Sequence, residues 1–75
     1  MKTVIARWES KTGKHWANFE EFTTSDGTFY GYNSNGASGS FGALDKFSAL
    51  AAMEAKVAGG YFLPDAAKTP MRKVK

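Results

Sequence analysis

His15 and Glu54 are the side chains whose chemistry first invites a catalytic reading, as a base near neutrality and an acid set among apolar neighbours. A histidine base needs a nucleophile and an orienting acid within reach, and no spacing in the chain selects such partners for His15. On a helical wheel Glu54 falls inside an apolar stripe, where a charge must reach solvent, shift its pKa or pair with a base. Arg7, Lys14 or His15 from neighbouring strands are its expected partners. Glu20 and Glu21 are adjacent on a strand and point to opposite faces, so they do not form a carboxylate pair. Cysteine is absent, which removes disulfides, thiolate zinc sites and a cysteine nucleophile. One histidine also rules out multi-histidine metal sites. No catalytic residue, metal or cofactor is therefore assigned, and the expectation is a protein that is not an enzyme.

The Gly/Ser-rich run between Tyr32 and Leu44 has the composition of a phosphate cradle. It lacks the Gly-Lys-Ser/Thr ending of a P-loop and the Gly-x-Gly-x-x-Gly spacing of a dinucleotide site. The residue expected to cap the following helix, Asp45, would repel a phosphate. Asn33 to Ser40 is accordingly expected to be a loop.

Aromatic residues carry the stronger signal. Six Phe, three Tyr and two Trp form 15% of the 75 residues, and they are the natural source of core volume in so short a chain. Apolar residues at 43% and charged residues at 23% are ordinary for a globular domain. The net charge of +3 is concentrated in the tail, where Lys68, Arg72, Lys73 and Lys75 occur without an acid; the rest holds six bases against seven acids. A broad phosphate-binding face is not expected from that balance. No apolar run reaches the length of a membrane span, and Arg7 interrupts the apolar start too early for a signal peptide. A cytoplasmic protein with no membrane contact is expected.

The elements that must position these side chains follow from the pattern. Lys2–Glu9 alternates, with Val4, Ala6 and Trp8 on one face. Ser10 to Gly13 supplies a turn, and Lys14–Phe22 alternates again, with Ala17, Phe19 and Glu21 opposite Trp16, Asn18, Glu20 and Phe22. Asp26-Gly27 marks a second turn before a strand over Thr28–Tyr32. A helix from Lys46 to Ala58 is predicted, capped by Asp45 and stopped by Gly59-Gly60. Phe47, Leu50, Ala51, Val57 and Ala58 share its expected core-facing side. Tyr61 to Leu63 is expected to add a short edge strand.

The fold class is therefore α+β, a three- to four-stranded antiparallel sheet with one helix packed on one face. Residues 1–65 form the domain, and residues 66–75 form a basic arm or edge strand with Met71 and Val74 inward. One helix covers one sheet face. If Val4, Ala6, Trp8, Phe19 and Phe29 pack inward, Trp16, Phe22, Tyr30 and Tyr32 remain on the outer face for protein contact or base stacking. The alternatives are a reversal of the two faces or a C-terminal arm folded over the second. The expected partner-binding residues are Arg7, Lys14, Trp16, Tyr30, Tyr32, Arg72 and Lys73.

Gly13-Lys14-His15-Trp16 at the opening of the second strand, in a strand-strand-strand-helix order, resembles the βββα DNA-binding modules of plant AP2 domains and phage integrase arm-binding domains. That resemblance implies a sheet entering the major groove, with Arg7, Lys11 and Lys14 as phosphate or base contacts. The third strand, Thr28 to Tyr32, has none of the basic residues such modules carry there. In overall profile the chain is also similar to small phage accessory proteins, anti-CRISPR and other host-takeover inhibitors among them. The expected function on that profile is stoichiometric inhibition or modulation of a host protein or ribonucleoprotein complex, by a monomer or a homodimer. Direct binding of DNA or RNA through the sheet is the alternative.

Overall fold

Alternating side chains and tight turns produce β1 (Lys2–Glu9), β2 (Trp16–Thr24) and β3 (Gly27–Ser34) in the computed structural model, which describes residues 1–64 and 70–75. The chain then makes β4 (Ala37–Ser40), α1 (Lys46–Ala58) and β5 (Arg72–Lys73). The strands form one antiparallel sheet in the order β4-β3-β2-β1-β5. This is the expected α+β class, with a sheet of five strands. Among the described residues no helix is long and apolar enough to cross a membrane.

Residues 33–40 do not form a loop. Asn35-Gly36 turns the chain back on itself, with Asn35 at φ 21°, and Ser34 faces Ala37 across the new hairpin. Asn-Gly is a strong two-residue hairpin signal because both positions accept positive φ. The Asn35 side chain also replaces a peptide unit where β3 leaves β2. Its Oδ1 accepts from the Trp16 amide at 2.8 Å, and its Nδ2 donates to the Lys14 carbonyl at 2.9 Å. The start of β2 is thereby paired beyond the last ladder residue of β3.

β1 contains a bulge. Val4 is opposite Glu20, whereas Ala6 is opposite Phe19, leaving Ile5 as the extra residue. The extra residue reverses the alternation, so Val4 does not share a face with Ala6 and Trp8. Ile5 packs against the core instead.

The core lies between α1 and the face bearing Ala6, Trp8, Ala17 and Phe19, closed by Ala49, Met53 and Val57 of the helix. Tyr61 to Leu63 is a turn and not an edge strand, yet it contributes buried Phe62 and Leu63. Phe19 and Tyr30 stack at 5.7 Å, and Tyr32 packs against Phe41 at 5.7 Å and Phe62 at 5.3 Å. Burying aromatic surface of this extent compensates for the small number of aliphatic core residues.

The helix bounds match the sequence expectation because caps are local chemistry. Asp45 Oδ1 accepts from the Ser48 amide at 2.7 Å. At the other end the Gly60 amide donates to Val57 O at 3.1 Å and the Tyr61 amide to Lys56 O at 3.0 Å. With Gly60 at φ 75° this is a Schellman motif. The buried face is rotated from the expected one. Ala49, Met53 and Val57 point inward with Leu50 half-buried, while Phe47 is 89% exposed and Ala51 and Ala58 face solvent.

The terminal strand closes the other edge. Val74 N donates to Arg7 O at 2.8 Å, and Met71 is buried. Val74 is exposed, contrary to its expected inward position. The part of the expected arm over residues 66–69 lies outside the described residues.

Candidate functional site

Cross-strand partners in an antiparallel sheet share a face, so the register determines which side chains can act together. Phe19 is opposite Tyr32 and Glu21 opposite Tyr30, while Phe22 is opposite Phe29. Tyr30 and Tyr32 therefore lie on the helix side with Phe19, and Phe29 lies on the outer side. Both assignments are the reverse of the sequence expectation.

The two tyrosines are half-buried and pack against the core. Tyr32 Oη lies 3.4 Å from Tyr61 Oη, and that hydrogen bond, followed by burial, raises the Tyr32 phenol pKa. Burial first and the neighbouring Glu21 carboxylate second raise the Tyr30 pKa. Lys56 Nζ lies 4.1 Å from the Tyr61 ring centre and 5.7 Å from that of Tyr32, closing the cluster from the helix. Lys73, opposite Trp8, also belongs to this side, with its Nζ 5.9 Å from the Trp8 ring.

The outer face carries a different set. Arg7 is opposite Asn18, Glu9 is opposite Trp16, and Arg72 of β5 is opposite Glu9. The structure thus brings together Arg7, Trp16 and Arg72 of the expected partner-binding residues. Arg7 Nε donates to Glu9 Oε2 at 2.8 Å, and Nη1 donates to Asn18 Oδ1 at 3.1 Å. With both bonds made, the guanidinium lies 4.8 Å from the Trp16 ring centre, within cation–π range. Lys14 is exposed in the turn before Trp16 and adds a charge at the margin.

A groove of about 620 Å³ opens on the same face, lined by Lys2, Glu20, Phe22, Phe29, Ser38 and Ser40 among others. Of these, Phe22 is expected from the sequence on the outer contact face, whereas Glu20 and Phe29 are given no role in a site. Glu20 is 3% exposed and has an ion pair with Lys2 at 3.5 Å. Its cross-strand neighbour Gly31 has no side chain, and Ser40 follows on β4. A Cβ at Gly31 would come 2.6 Å from the Gly39 carbonyl oxygen and 3.2 Å from the Phe22 ring. The close approach of β4 thus requires a glycine at position 31.

His15 and Glu54 do not converge on this face as a catalytic pair. The His15 backbone holds the β1–β2 turn, its amide donating to Ser10 Oγ at 3.2 Å and its carbonyl accepting from the Ser10 amide at 2.8 Å. Glu54 is exposed on the helix and not set within a buried stripe. Among the described residues no group of three or more His, Asp or Glu side chains could hold a metal ion. The outer face offers a stacked Arg–Trp pair, hydrogen-bonding side chains and a groove floored by an acid, an arrangement suited to docking. No family model matches the chain, nor does any curated protein or solved structure.

Proposed function

We propose that the protein is a non-catalytic binding protein that docks a host protein or ribonucleoprotein complex through the outer face of its sheet. It would act there as a phage-type inhibitor or modulator. The observation that carries the docking reading is the Arg7–Trp16 stack, held by Glu9 and Asn18 on the face opposite the helix. Aromatic and arginine side chains supply much contact energy per residue, and ordering them before contact reduces the entropy lost on docking. Lys14 and Arg72 at the margin would steer an acidic surface toward the stack. The inhibitory role rests on the composition profile.

Charge on this face favours a protein surface over a bare phosphate backbone. Arg7 is paired with Glu9 and Lys2 with Glu20, so two of the bases available to phosphate are already offset. The nucleic-acid alternative requires phosphate contacts and hence a strong salt dependence.

Capture from host lysate by the immobilised protein, beside Trp16→Ala, tests the docking reading. A partner retained by the parent and lost by the variant supports it; equal retention by both contradicts it. A gel shift at low salt that disappears at physiological salt would move the assignment to nucleic acid.

A further inference from the structure

We propose that the groove over Glu20 receives a lysine or arginine side chain of the protein partner, whose cationic head takes the place of Lys2. This rests on the docking reading above and adds the chemistry of the partner.

Glu20 sits in the middle of β2, and its side chain is 4% exposed. A carboxylate withdrawn from water to that degree needs strong compensation. Lys2 supplies it through a loose ion pair. Its Nζ is 3.5 Å from Glu20 Oε2 and its side chain is 51% exposed, whereas a charge-assisted N–H···O bond closes to about 2.7–2.9 Å. The pair is long, and its cation stands at the rim of the hollow.

The walls select the same charge. Phe22 and Phe29 face each other across β2 and β3 and line the groove, with Phe29 40% exposed. Phenyl faces attract a desolvated cation, and the Glu20 carboxylate repels an anion. Ser38 and Ser40 on β4 add hydroxyl oxygens that can accept from ammonium or guanidinium N–H groups. An unbranched stem would lie along the Phe22 and Phe29 rings that line the groove. A basic side chain with an apolar stem and a charged tip meets each requirement.

Amide NMR on the full chain tests the assignment with two probes, acetyl-Gly-Lys-Gly-amide and its norleucine analogue, which keeps the stem and removes the charge. The lysine probe is expected to shift the Gly31, Phe29 and Ser40 amides saturably, and the norleucine probe is expected not to. Lys2→Met removes the internal competitor and is expected to tighten binding about two- to fivefold, the factor matching a partly exposed ion pair. Glu20→Gln is expected to abolish the shifts. The proposal is overturned if neither the parent nor Lys2→Met shows saturable shifts, if the norleucine probe binds equally, or if Lys2→Met fails to tighten binding. Should Glu20→Gln lose its dispersed spectrum, Lys2→Met and the norleucine probe still decide the matter. Trp16-dependent capture without lysine binding would defeat this assignment alone. Lysine binding without such capture would defeat the docking reading alone.

Discussion

Arg7 lies with its guanidinium 4.8 Å from the Trp16 ring centre, while Glu9 and Asn18 take its Nε and Nη1 hydrogen bonds. Glu9 is the cross-strand partner of Trp16, and Asn18 is the cross-strand partner of Arg7. Three side chains on two strands, Arg7, Glu9 and Asn18, thus hold the Trp16 ring in place, and the ring is the centre of the proposed docking face.

Arg7→Lys should lose this arrangement although charge is conserved. An ammonium lacks the planar fork by which a guanidinium bonds within its plane and stacks by its face. The expected result is a change in the Trp16 indole N–H resonance and a stability loss of about 0.5–1 kcal/mol, the magnitude of an exposed cation–π contact. An unchanged indole resonance would show that the stack does not order Trp16.

Gly31→Ala should be costly. The new Cβ would meet the Gly39 carbonyl oxygen at 2.6 Å, and backbone cannot rotate out of the way as a side chain can. Overpacking of this kind costs about 1–3 kcal/mol. Urea denaturation would report the loss. Faster exchange of the Phe41 amide, which donates to Tyr30 O at 2.9 Å, would locate it at the β3–β4 edge.

The two adjacent glycines after the helix should respond unequally. Gly60 is at φ 75° and Gly59 at φ −80°. Gly60→Ala forces a Cβ into the left-handed region at a cost of about 1–2 kcal/mol, whereas Gly59→Ala keeps an ordinary helical conformation and costs less. Thermal midpoints of the two variants check the order.

Asp45 should make helix stability depend on acid pH. The Ser48 backbone amide donates to the carboxylate and, with the Ser48 hydroxyl second, lowers its pKa below the ordinary 3.8. A group with a depressed folded pKa contributes stability above its unfolded value, and the contribution is lost as pH falls through the folded value. Asp45→Asn keeps a good cap but cannot titrate. Its thermal midpoint should therefore decline less than the parent's when pH is lowered through the carboxylate range.

These elements also separate what the sequence makes legible from what it does not. The helix ends were readable because Asp45 and Gly59-Gly60 act on backbone groups within one turn. Its buried face was not, since apolar residues occupy both sides and the wheel could not choose Ala49, Met53 and Val57 over Phe47, Ala51 and Ala58. Glu54 was misplaced with that choice. The inner position of Tyr32 follows from counting outward from the Ser25-Asp26 loop, which pairs Thr24 with Gly27, Phe22 with Phe29 and then Phe19 with Tyr32. Judging face by strand alternation alone left that parity free. The Val4 face depends on the bulge at Ile5, which has no marker such as glycine in the sequence. The burial of Glu20 was hidden for a related reason, because its cross-strand neighbours Val4 and Gly31 are set beside it only by the register.

Arg72 and Lys73 are adjacent and exposed, yet Arg72 is opposite Glu9 on the outer face and Lys73 is opposite Trp8 on the helix side. A photo-crosslinking amino acid placed at one position or the other, in host cells making the protein, therefore reports which face the partner covers. Docking through the outer face predicts a crosslinked partner from position 72 and none from position 73. A partner crosslinked from position 73 and not from position 72 would contradict it.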